Sequence, residues 1–334
     1  MFISLSLPQR QDLVTLISMA EKAETFGYHG IWLGDHYFNR SVFISLGLLA
    51  RSTERIFLGT GVTNPFHITP AMLASFGATL QEISRGRFRM GLGAGDTDSL
   101  RIEGIIRPPD LPVFMEQTVK SIQKLATGQE AFFPVAGKDQ NAAARLNYST
   151  VETCFPVYLG VLGPTMMKTA VKCSDGMLIN SSSVQDVLRA VTIFERALND
   201  GLSAEKFQII PFTLVEVLEK KEKESNFLKG MISKIVSDLP ASYVLDREDE
   251  ALVIEKIRKL VKQQNYAEAF KLLDHRLINN FSITGSFDEI TQRLLEFEKI
   301  KEVKEIIIGG TGIPGKFEKF MATLREHLSD HLLV

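Results

Sequence analysis

Short apolar runs alternate along the chain with longer segments in which apolar residues recur every three or four positions. The clearest unit spans residues 56–96, with an apolar run at 56–62, a helix-period segment, and a second apolar run at 88–92. The apolar face of the middle segment consists of Leu73, Phe76, Leu80 and Ile83. This pattern predicts a strand, a helix and a second strand. Strands joined by such a crossover lie parallel, so the turns after both strands open on the same edge of the sheet.

Eight apolar runs are predicted as strands, and helix-period segments stand between most of them. The predicted strands are residues 2–7, 29–33, 56–62, 88–92, 157–161, 176–179, 207–217 and 305–308. Alternation of strands and helices indicates a parallel sheet, and eight is the number of strands in a TIM barrel. We therefore predict an α/β fold, specifically a (β/α)8 TIM barrel.

Two segments depart from this alternation. Residues 219–281 begin with the charged run EKKEKES, continue with helix-period patterns and contain no convincing strand. They predict a helical insertion before the last strand, within a single domain that spans residues 1–334. Residues 132–148 predict an irregular cover or a hairpin.

Composition and charge exclude several classes of protein. The chain has 334 residues, of which 45% are hydrophobic and 23% charged, as in a globular protein with a large core. A net charge of −2 predicts no binding of nucleic acid or of an anionic membrane. No stretch reaches the roughly 18 apolar residues of a membrane helix, and the first residues lack a signal-peptide pattern. Cys154 and Cys173 form neither a disulfide framework nor a metal motif, so we expect a cytoplasmic protein without a metal site.

Polar and glycine-rich turns follow five of the predicted strands. In order along the chain these turns contain Asp35 and His36, Asn64, Gly95 and Asp96, Gly160 to Pro164, and Asn180. A barrel concentrates its functional residues at this edge. Gly163 and Pro164 open a helix, and the free N–H groups and positive dipole of a helix start suit a phosphate.

Each of these residues also has a purely structural interpretation. Asp35 can be the N-cap of the helix after strand two, and His36 can be a structural histidine. Asp96 can cap the turn that follows it. Gly93-Ala94-Gly95 matches only half of a dinucleotide fingerprint, because the third glycine and the later acidic residue are missing. The functional interpretation rests on the coincidence of these turns at one edge.

Several segments resemble the bacterial luciferase-like superfamily. The first group is GDHYFNR at 34–40, GVTNPF at 61–66, and GR at 86–87 leading to LGAGD at 92–96. The second group is VYLGVLGPTMMKTA at 157–170, SDGMLIN at 174–180 and FSITG at 281–285. Within the superfamily they are most similar to the deazaflavin-dependent branch, and specifically to the methylenetetrahydromethanopterin reductases.

The resemblance implies a homo-oligomeric oxidoreductase, a dimer or a tetramer, that binds coenzyme F420 and passes a hydride through the deazaflavin C5. Its substrate would be a small molecule reacting at a CH–NH or CH–OH group. The residues implied to hold the ring and its side chain are Asp35, Asn64, Ala94, Gly95 and Ser99. Those implied to take the phosphate are Gly160, Val161, Gly163 and Pro164. His36 and Asp96 are implied beside the reacting face, and Gly61-Val62 is implied to be a non-proline cis peptide behind the ring.

One position departs from the family pattern. The reductases have an acidic residue in the first strand that faces the active site, and here the matching residue is Ser6. A carboxyl group there can handle a proton on a pterin-type nitrogen, whereas a serine hydroxyl does so poorly. The substrate is then methylenetetrahydromethanopterin or a related pterin or imine, with His36 or Asp96 as the acid–base candidate.

Two alternatives remain open at the level of sequence. The first keeps the fold and uses FMN, as a luciferase-like monooxygenase that consumes molecular oxygen. The second is a cofactor-binding paralogue without turnover, which the serine at position 6 keeps open because a fold does not determine a function.

Overall fold

The computed structural model describes residues 1–36, 38–133, 142–148, 154–202, 207–219, 222–244, 248–310 and 314–329. These residues form eleven strands and fourteen helices. In chain order they are β1 (Phe2–Ser6), α1 (Leu13–Thr25), β2 (Gly30–Leu33), α2 (Val42–Ser52), β3 (Phe57–Thr60), α3 (Pro70–Ile83), β4 (Phe88–Leu92), α4 (Thr97–Ile102), α5 (Leu111–Ala126), β5 (Ala131–Phe133), β6 (Ala142–Ala144), β7 (Val157–Val161), α6 (Pro164–Cys173), β8 (Gly176–Asn180), α7 (Val184–Asn199), β9 (Gln208–Val217), α8 (Asn226–Asp238), α9 (Ala241–Val244), α10 (Glu248–Lys262), α11 (Tyr266–Lys271), α12 (His275–Phe281), β10 (Ser282–Gly285), α13 (Phe287–Glu298), β11 (Glu305–Gly310) and α14 (Pro314–Ser329).

Eight parallel strands close into a barrel. The order around it is β1-β2-β3-β4-β7-β8-β9-β11, and β11 pairs again with β1. Apolar residues of the outward strand faces pack against the surrounding helices, as Leu5, Ile31 and Leu58 do. The predicted TIM barrel is confirmed, and the helix predicted to open at Gly163 and Pro164 begins there, with Pro164 as its first residue.

A ninth parallel strand, β10, lies outside the predicted set. Ser282 to Gly285 pair with Leu214 to Val217 of β9, just beyond the part of β9 that pairs with β8. The strand begins directly after α12, with no turn residue between them, and it is only four residues long. A run this short and without a break before it has no clear period in the sequence.

The predicted helical insertion is present as α8 to α12 and has an apolar core of its own. On α8, Leu228, Ile232 and Val236 are buried at a spacing of four residues, the period of one helix face. They pack with Ile254 and Phe281 of later helices in a cluster separate from the main core. The insertion therefore sits on the barrel as a compact body, and α8 keeps a fixed orientation.

Smaller elements refine the predicted boundaries. The predicted cover at 132–148 contains a hairpin, since β5 pairs antiparallel with β6, and residues 134–141 lie outside the described residues. The third strand ends at Thr60 rather than at position 62, and the Gly61-Val62 bond is cis, as the resemblance implied. The chain then makes one more parallel bridge, from Thr63 to Leu92.

An ion pair crosses the barrel near the amino ends of the strands. Arg89 of β4 places Nη1 2.6 Å from Oε2 of Glu305 on β11, and both side chains are buried. These strands lie on opposite sides of the barrel, so the contact runs through its interior. The other oxygen of Glu305 accepts hydrogen bonds from Trp32 Nε1 at 3.1 Å and from Ser4 Oγ at 2.5 Å. The barrel is thus closed at this end by a polar cluster rather than by apolar packing alone.

Two further properties bear on function. Among the described helices, none is long and apolar enough to cross a membrane. Cys154 is exposed and Cys173 is buried, and both are free thiols.

Candidate active site

The turns after β2, β3 and β4 are joined at the carboxyl edge of the barrel. The backbone N–H of Asp35 donates to the carbonyl of Val62 at 3.2 Å, and that of Gly93 donates to Thr63 at 2.8 Å. Thr63 in turn donates its hydroxyl to Asp35 Oδ2 at 2.6 Å. The structure therefore brings together the three turns that the sequence analysis selected.

Glycines give this edge a flat interior floor. Cβ atoms built at Gly93 and Gly160 would lie 2.5 and 3.2 Å from the methyl groups of Val62. A Cβ at Gly61 would lie 3.1 Å from Cβ of Trp32, which is buried below. Only glycine lets Val62 lie between the two neighbouring strands in this way. The resulting surface lacks projecting side chains on three strands, which fits a planar ring laid across the mouth.

Asp35 and Asn64 are held by the turns in which they lie. Asp35 does not cap the next helix, because the N-cap of α2 is Ser41. Its carboxylate binds Thr63 and lies 3.8 Å from Nε2 of His67. Asn64 is buried, and its Oδ1 accepts a hydrogen bond from the backbone N–H of Phe66 at 3.1 Å. Both side chains are therefore fixed in position before any ligand binds.

Asp96 caps a helix, as its structural interpretation predicts, and it also pairs with a charged side chain. It caps α4, since the backbone N–H of Ser99 donates to Oδ1 at 3.3 Å and the Ser99 hydroxyl donates to Oδ2. Oδ2 also lies 3.3 Å from Nζ of Lys234. Burial raises the pKa of Asp96, but the Ser99 hydrogen bonds and the lysine charge outweigh it, and the net pKa lies below the usual value. Asp96 is therefore a carboxylate at neutral pH.

Ala94 and Gly95 are anchored through their backbone. Nε of Arg107 donates to the carbonyl of Ala94 at 2.8 Å, and Nη2 donates to the carbonyl of Gly95. Gly95 has φ of +69°, a conformation that glycine adopts without strain. Arg107 thus holds the turn after β4 from outside, an arrangement that no motif in the sequence indicated.

His36 lies on the turn after β2 and is exposed. Partial burial of the ring lowers its pKa, and the charge of Lys234 lowers it further, against a smaller opposite effect of Asp96. A histidine with a lowered pKa is neutral at pH 7. The imidazole can therefore accept a proton, and Asp96 beside it is already ionised.

Lys234 is the site residue that the sequence analysis missed. It lies on α8 of the insertion, and Asp238 one helical turn later lies close enough to Thr97 to hydrogen-bond with it. Burial and the nearby Asp96 raise the pKa of Asp238. A lysine and an aspartate four residues apart are common on exposed helices, so only the packing of α8 against the mouth marks them as site residues.

The turn predicted to take a phosphate lies at the end of β7. Gly163 is the N-cap of α6 and Pro164 its first residue, and no side chain caps the free N–H groups of that first turn. The side chain of Val161 is buried on the outward face, so only its backbone faces the site. Gly160 lies beside Val62, as described above. The four residues predicted for a phosphate thus lie together on the rim, next to the glycine floor.

A pocket opens beside this helix start. It contains about 280 Å³ of empty space, part of it open to solvent, and Asn180 and Arg189 line it together with Pro164. Oδ1 of Asn180 is buried there without a hydrogen-bond partner. Rotating the carboxamide exchanges its oxygen and nitrogen, so Asn180 can offer N–H groups to an anion. A water or a ligand atom can satisfy a buried group of this kind, and a phosphate oxygen at this position is one such partner.

The insertion also forms the outer wall of that pocket. Tyr243 of α9 donates its hydroxyl to Asp186 Oδ2 at 3.0 Å, and Ser181 donates to the same oxygen at 2.9 Å. Asp186 is buried, and Arg189 lies 3.9 Å from its other oxygen. The insertion therefore contacts the mouth at two places, through Lys234 and through Tyr243.

Ser6 is the last residue of β1 and lies at the mouth. In the sheet register it pairs with Gly309 on one side and Trp32 on the other. Ser4, two residues earlier, points into the barrel toward Glu305, so Ser6 shares the interior face. The position that the family fills with an acid is therefore an interior mouth position in this chain.

Comparison with known proteins gives a family match and similar relatives. The family model described as luciferase-like monooxygenase matches residues 2–301. A 5,10-methylenetetrahydromethanopterin reductase from Archaeoglobus fulgidus is 32% identical over 300 residues, which cover 88% of this chain and 89% of that protein.

Solved structures match over almost the whole chain. The coenzyme F420 dependent tetrahydromethanopterin reductase from Methanopyrus kandleri superposes with a TM-score of 0.82 at 26% identity, covering 99% of each chain. An F420-dependent secondary alcohol dehydrogenase in complex with an F420–acetone adduct gives a TM-score of 0.76 over 97% of each chain. At 17% identity the second match shows the fold alone.

Proposed function

The chain belongs to the luciferase-like monooxygenase family, and from that premise we propose that it is an oxidoreductase dependent on coenzyme F420. The observation that carries the proposal is the glycine floor around Val62, which leaves room for a planar ring at the mouth. The reductase from Methanopyrus kandleri, matched over 99% of the chain, is described as dependent on coenzyme F420. The prediction of F420 from sequence agrees with these relatives.

The residues present fit the deazaflavin and its phosphate. Gly61, Val62, Ala94 and Gly95 would lie against the ring, and Asp35, Asn64 and Ser99 would hold the ring and its side chain. Gly160, Val161, Gly163 and Pro164 would take the phosphate through backbone N–H groups, with Asn180 beside them. When bound, the cofactor supplies or accepts a hydride at its C5 atom.

The chain itself contributes binding, orientation and proton handling. Asp96 as a carboxylate and His36 as a neutral imidazole can each hold a proton from the substrate, at a carboxylate oxygen and at a ring nitrogen respectively. Ser99 and Lys234 hold the Asp96 carboxylate in place. Water is excluded from the floor by the buried Trp32 side chain and the partly buried Val62 side chain rather than by a charged group.

The proposed substrate is methylenetetrahydromethanopterin or a related pterin or imine that reacts at a CH–NH group, or a CH–OH compound. Ser6 places a hydroxyl at the interior mouth position where the reductases have a carboxyl group. Acceptance of the substrate proton then falls to His36 or Asp96. The substrate is for that reason not limited to the one named for the relatives.

A cofactor titration tests the proposal. Trp32 is the only tryptophan in the chain and lies directly beneath Gly61, so its fluorescence should be quenched by a ring bound on the floor. Purified protein is titrated with F420 and with FMN, and binding is followed by this fluorescence and by cofactor absorbance. Tight binding of F420 together with weak binding of FMN supports the proposal.

Two other results would overturn it. Tight FMN binding without F420 would assign the protein to the oxygen-using monooxygenases. Binding of F420 with no hydride exchange to any pterin, imine or alcohol would leave a cofactor-binding paralogue without turnover.

We further propose a homo-oligomer, a dimer or a tetramer, in the reducing cytoplasm. Apolar side chains stand exposed on the neighbouring helices α2 and α3, including Ile44, Leu48 and Met72. Exposed apolar groups that lie together favour contact with another chain. Light scattering would measure the mass in solution, and a monomer at micromolar concentration would contradict the proposal. The two free thiols suit a reducing compartment.

A further inference from the structure

We propose that Lys234 is a positioning residue of the active site: its ammonium group holds the Asp96 carboxylate in place beside His36 and sets the charge of that pair. This inference rests on the proposed function, because it concerns the groups that would handle the substrate proton. It adds a residue from the insertion to a site otherwise built from barrel turns.

Packing of one face fixes the orientation of α8. Leu228, Ile232 and Val236 are each no more than 1% exposed, and they bind one face of the helix into the core of the insertion. Lys234 and Asp238 are four residues apart and share another face, which meets the turn after β4. A packed helix, rather than a loop, therefore places Lys234 next to Asp96.

Lys234 forms an ion pair with Asp96. Nζ of Lys234 lies 3.3 Å from Oδ2 of Asp96, the oxygen that also accepts the Ser99 hydroxyl. The lysine side chain is 37% exposed and the aspartate 19% exposed. Because the pair is partly exposed, it contributes little to the free energy of unfolding. Its consequence is instead electrostatic, since the cation pairs with Asp96 and also acts on His36, two groups whose protonation matters for the reaction.

The charges that face the pair come from several elements. Those that act on His36 are Lys234 from α8, Asp96 after β4, Arg10 after β1, and Asp35 on the turn that His36 itself occupies. Those that act on Asp96 are Lys234 and the hydrogen-bonding Ser99, and Asp238 and Arg107 lie around the same turn. Among the charged groups named here, Lys234 is the cation that acts on both His36 and Asp96. Its positive charge lowers the pKa of each.

The sign of the effect follows directly. A nearby cation disfavours protonated imidazole and favours ionised carboxylate, so it keeps His36 neutral and Asp96 charged. Removal of the cation should raise the pKa of both groups. In a profile of hydride transfer against pH, the acid limb should then move to higher pH.

The test uses three variants of the full-length protein. Lys234→Met removes the charge and keeps the apolar stem, and Lys234→Arg keeps the charge. Lys229→Met is the matched control, because Lys229 lies on the same helix and pairs with Glu224 at 3.6 Å. The first measurement is an NMR titration of the His36 ring without cofactor, with the signal identified among the six histidines by its loss in His36→Asn.

We expect the pKa of His36 to rise in Lys234→Met and to stay at the wild-type value in Lys234→Arg and Lys229→Met. An unchanged His36 pKa in Lys234→Met would overturn the inference. Because this measurement needs neither cofactor nor substrate, it gives a result even if the proposed function fails.

The second measurement follows hydride transfer from a pterin or alcohol substrate to oxidised F420, the direction in which His36 and Asp96 would accept a proton. We expect kcat to fall by up to about 100-fold in Lys234→Met, the size of effect that a misplaced catalytic group produces, with the affinity for F420 unchanged and the acid limb moved to higher pH. Lys234→Arg should recover most of this loss. A raised His36 pKa with an unaltered kcat and pH profile would overturn the positioning role. Absence of hydride transfer in the wild-type protein would instead count against the proposed function.

Discussion

A Cβ atom at Gly93 would lie 2.5 Å from Cγ2 of Val62, closer than two carbon atoms can approach without displacement. Val62 is β-branched and stiff at χ1, so it cannot simply turn its methyl group away. The absence of a side chain at Gly93, directly after β4, is therefore a condition for the position of Val62 on the floor. The prediction that tests the floor follows from this pair.

Gly93→Ala should weaken F420 binding about tenfold or more, because overpacking of this kind costs about 1–3 kcal/mol and moves the surface on which the ring lies. Titration by Trp32 fluorescence measures the affinity. Gly230→Ala is the control, since its Cβ would meet only Cζ of Phe270, at 3.8 Å, in the middle of α8. That change should leave binding intact and raise stability by up to about 1 kcal/mol. Equal F420 affinity in Gly93→Ala and wild type would contradict the proposed ring site.

Asp96→Asn should reduce hydride transfer about 100-fold or more, the usual contribution of a general acid or base. Asparagine is also a good N-cap, so α4 should keep its start and the affinity for F420 should stay within a factor of about three. Single-turnover absorbance of the cofactor measures the transfer. Asp110→Asn makes the same change at the N-cap of α5, where Asp110 accepts a hydrogen bond from the backbone N–H of Val113; it is the control and should transfer hydride as wild type does. Full turnover with Asp96→Asn would remove Asp96 from acid–base chemistry.

The same variant should change how stability depends on pH. The folded pKa of Asp96 is lowered from 3.8, so its stabilising contribution is present above that value and is lost as the pH falls through the folded pKa. Between pH 6 and 8 the unfolding free energy of the wild type should exceed that of Asp96→Asn by a constant amount. For a half-exposed pair this amount is about 1 kcal/mol or less. It should shrink below about pH 4. Urea denaturation at several pH values measures it, and a gap that widens in acid would be incompatible with the lowered pKa.

Glu305→Gln should destabilise the barrel by about 3 kcal/mol, because it leaves the buried guanidinium of Arg89 without its counter-charge. Urea denaturation followed by circular dichroism measures the loss independently of Trp32, which hydrogen-bonds to Glu305. Glu268→Gln breaks an exposed pair with Lys271 and should cost less than about 0.5 kcal/mol. If both substitutions cost the same, the cross-barrel pair does not stabilise the closed end of the barrel.

Asn180→Ala should weaken F420 binding about tenfold and leave stability nearly unchanged, because Oδ1 of Asn180 has no partner to lose in the free protein. The deazaflavin without its phosphate is the discriminating ligand, and its affinity should be the same in both proteins. Asn226→Ala, at the exposed start of α8, is the control and should bind both ligands as wild type does. A loss of affinity for both ligands would place Asn180 at the ring rather than at the phosphate.

Much of the barrel was predictable because its causes are local. The outward faces of the barrel strands are buried against helices, so their apolar runs stand out, and Gly163-Pro164 marks the start of α6 by its own geometry. The resemblance added the cis bond at Gly61-Val62, which the structure has. The short strand β10 was missed because four residues show no period. Thr311 and Gly312 after the last strand and Tyr37 of the GDHYFNR segment lie outside the described residues.

What the sequence determined alone is the barrel and the edge at which its polar turns meet, since parallel strands with crossover helices permit no other arrangement of those turns. The tertiary structure decided the electrostatics of the site. Lys234 reaches Asp96 only because the insertion packs α8 against the mouth, and Arg89 reaches Glu305 only because the sheet closes. Hydrophobic periodicity records which face of an element is buried, whereas charge pairs between distant residues depend on how whole elements are placed.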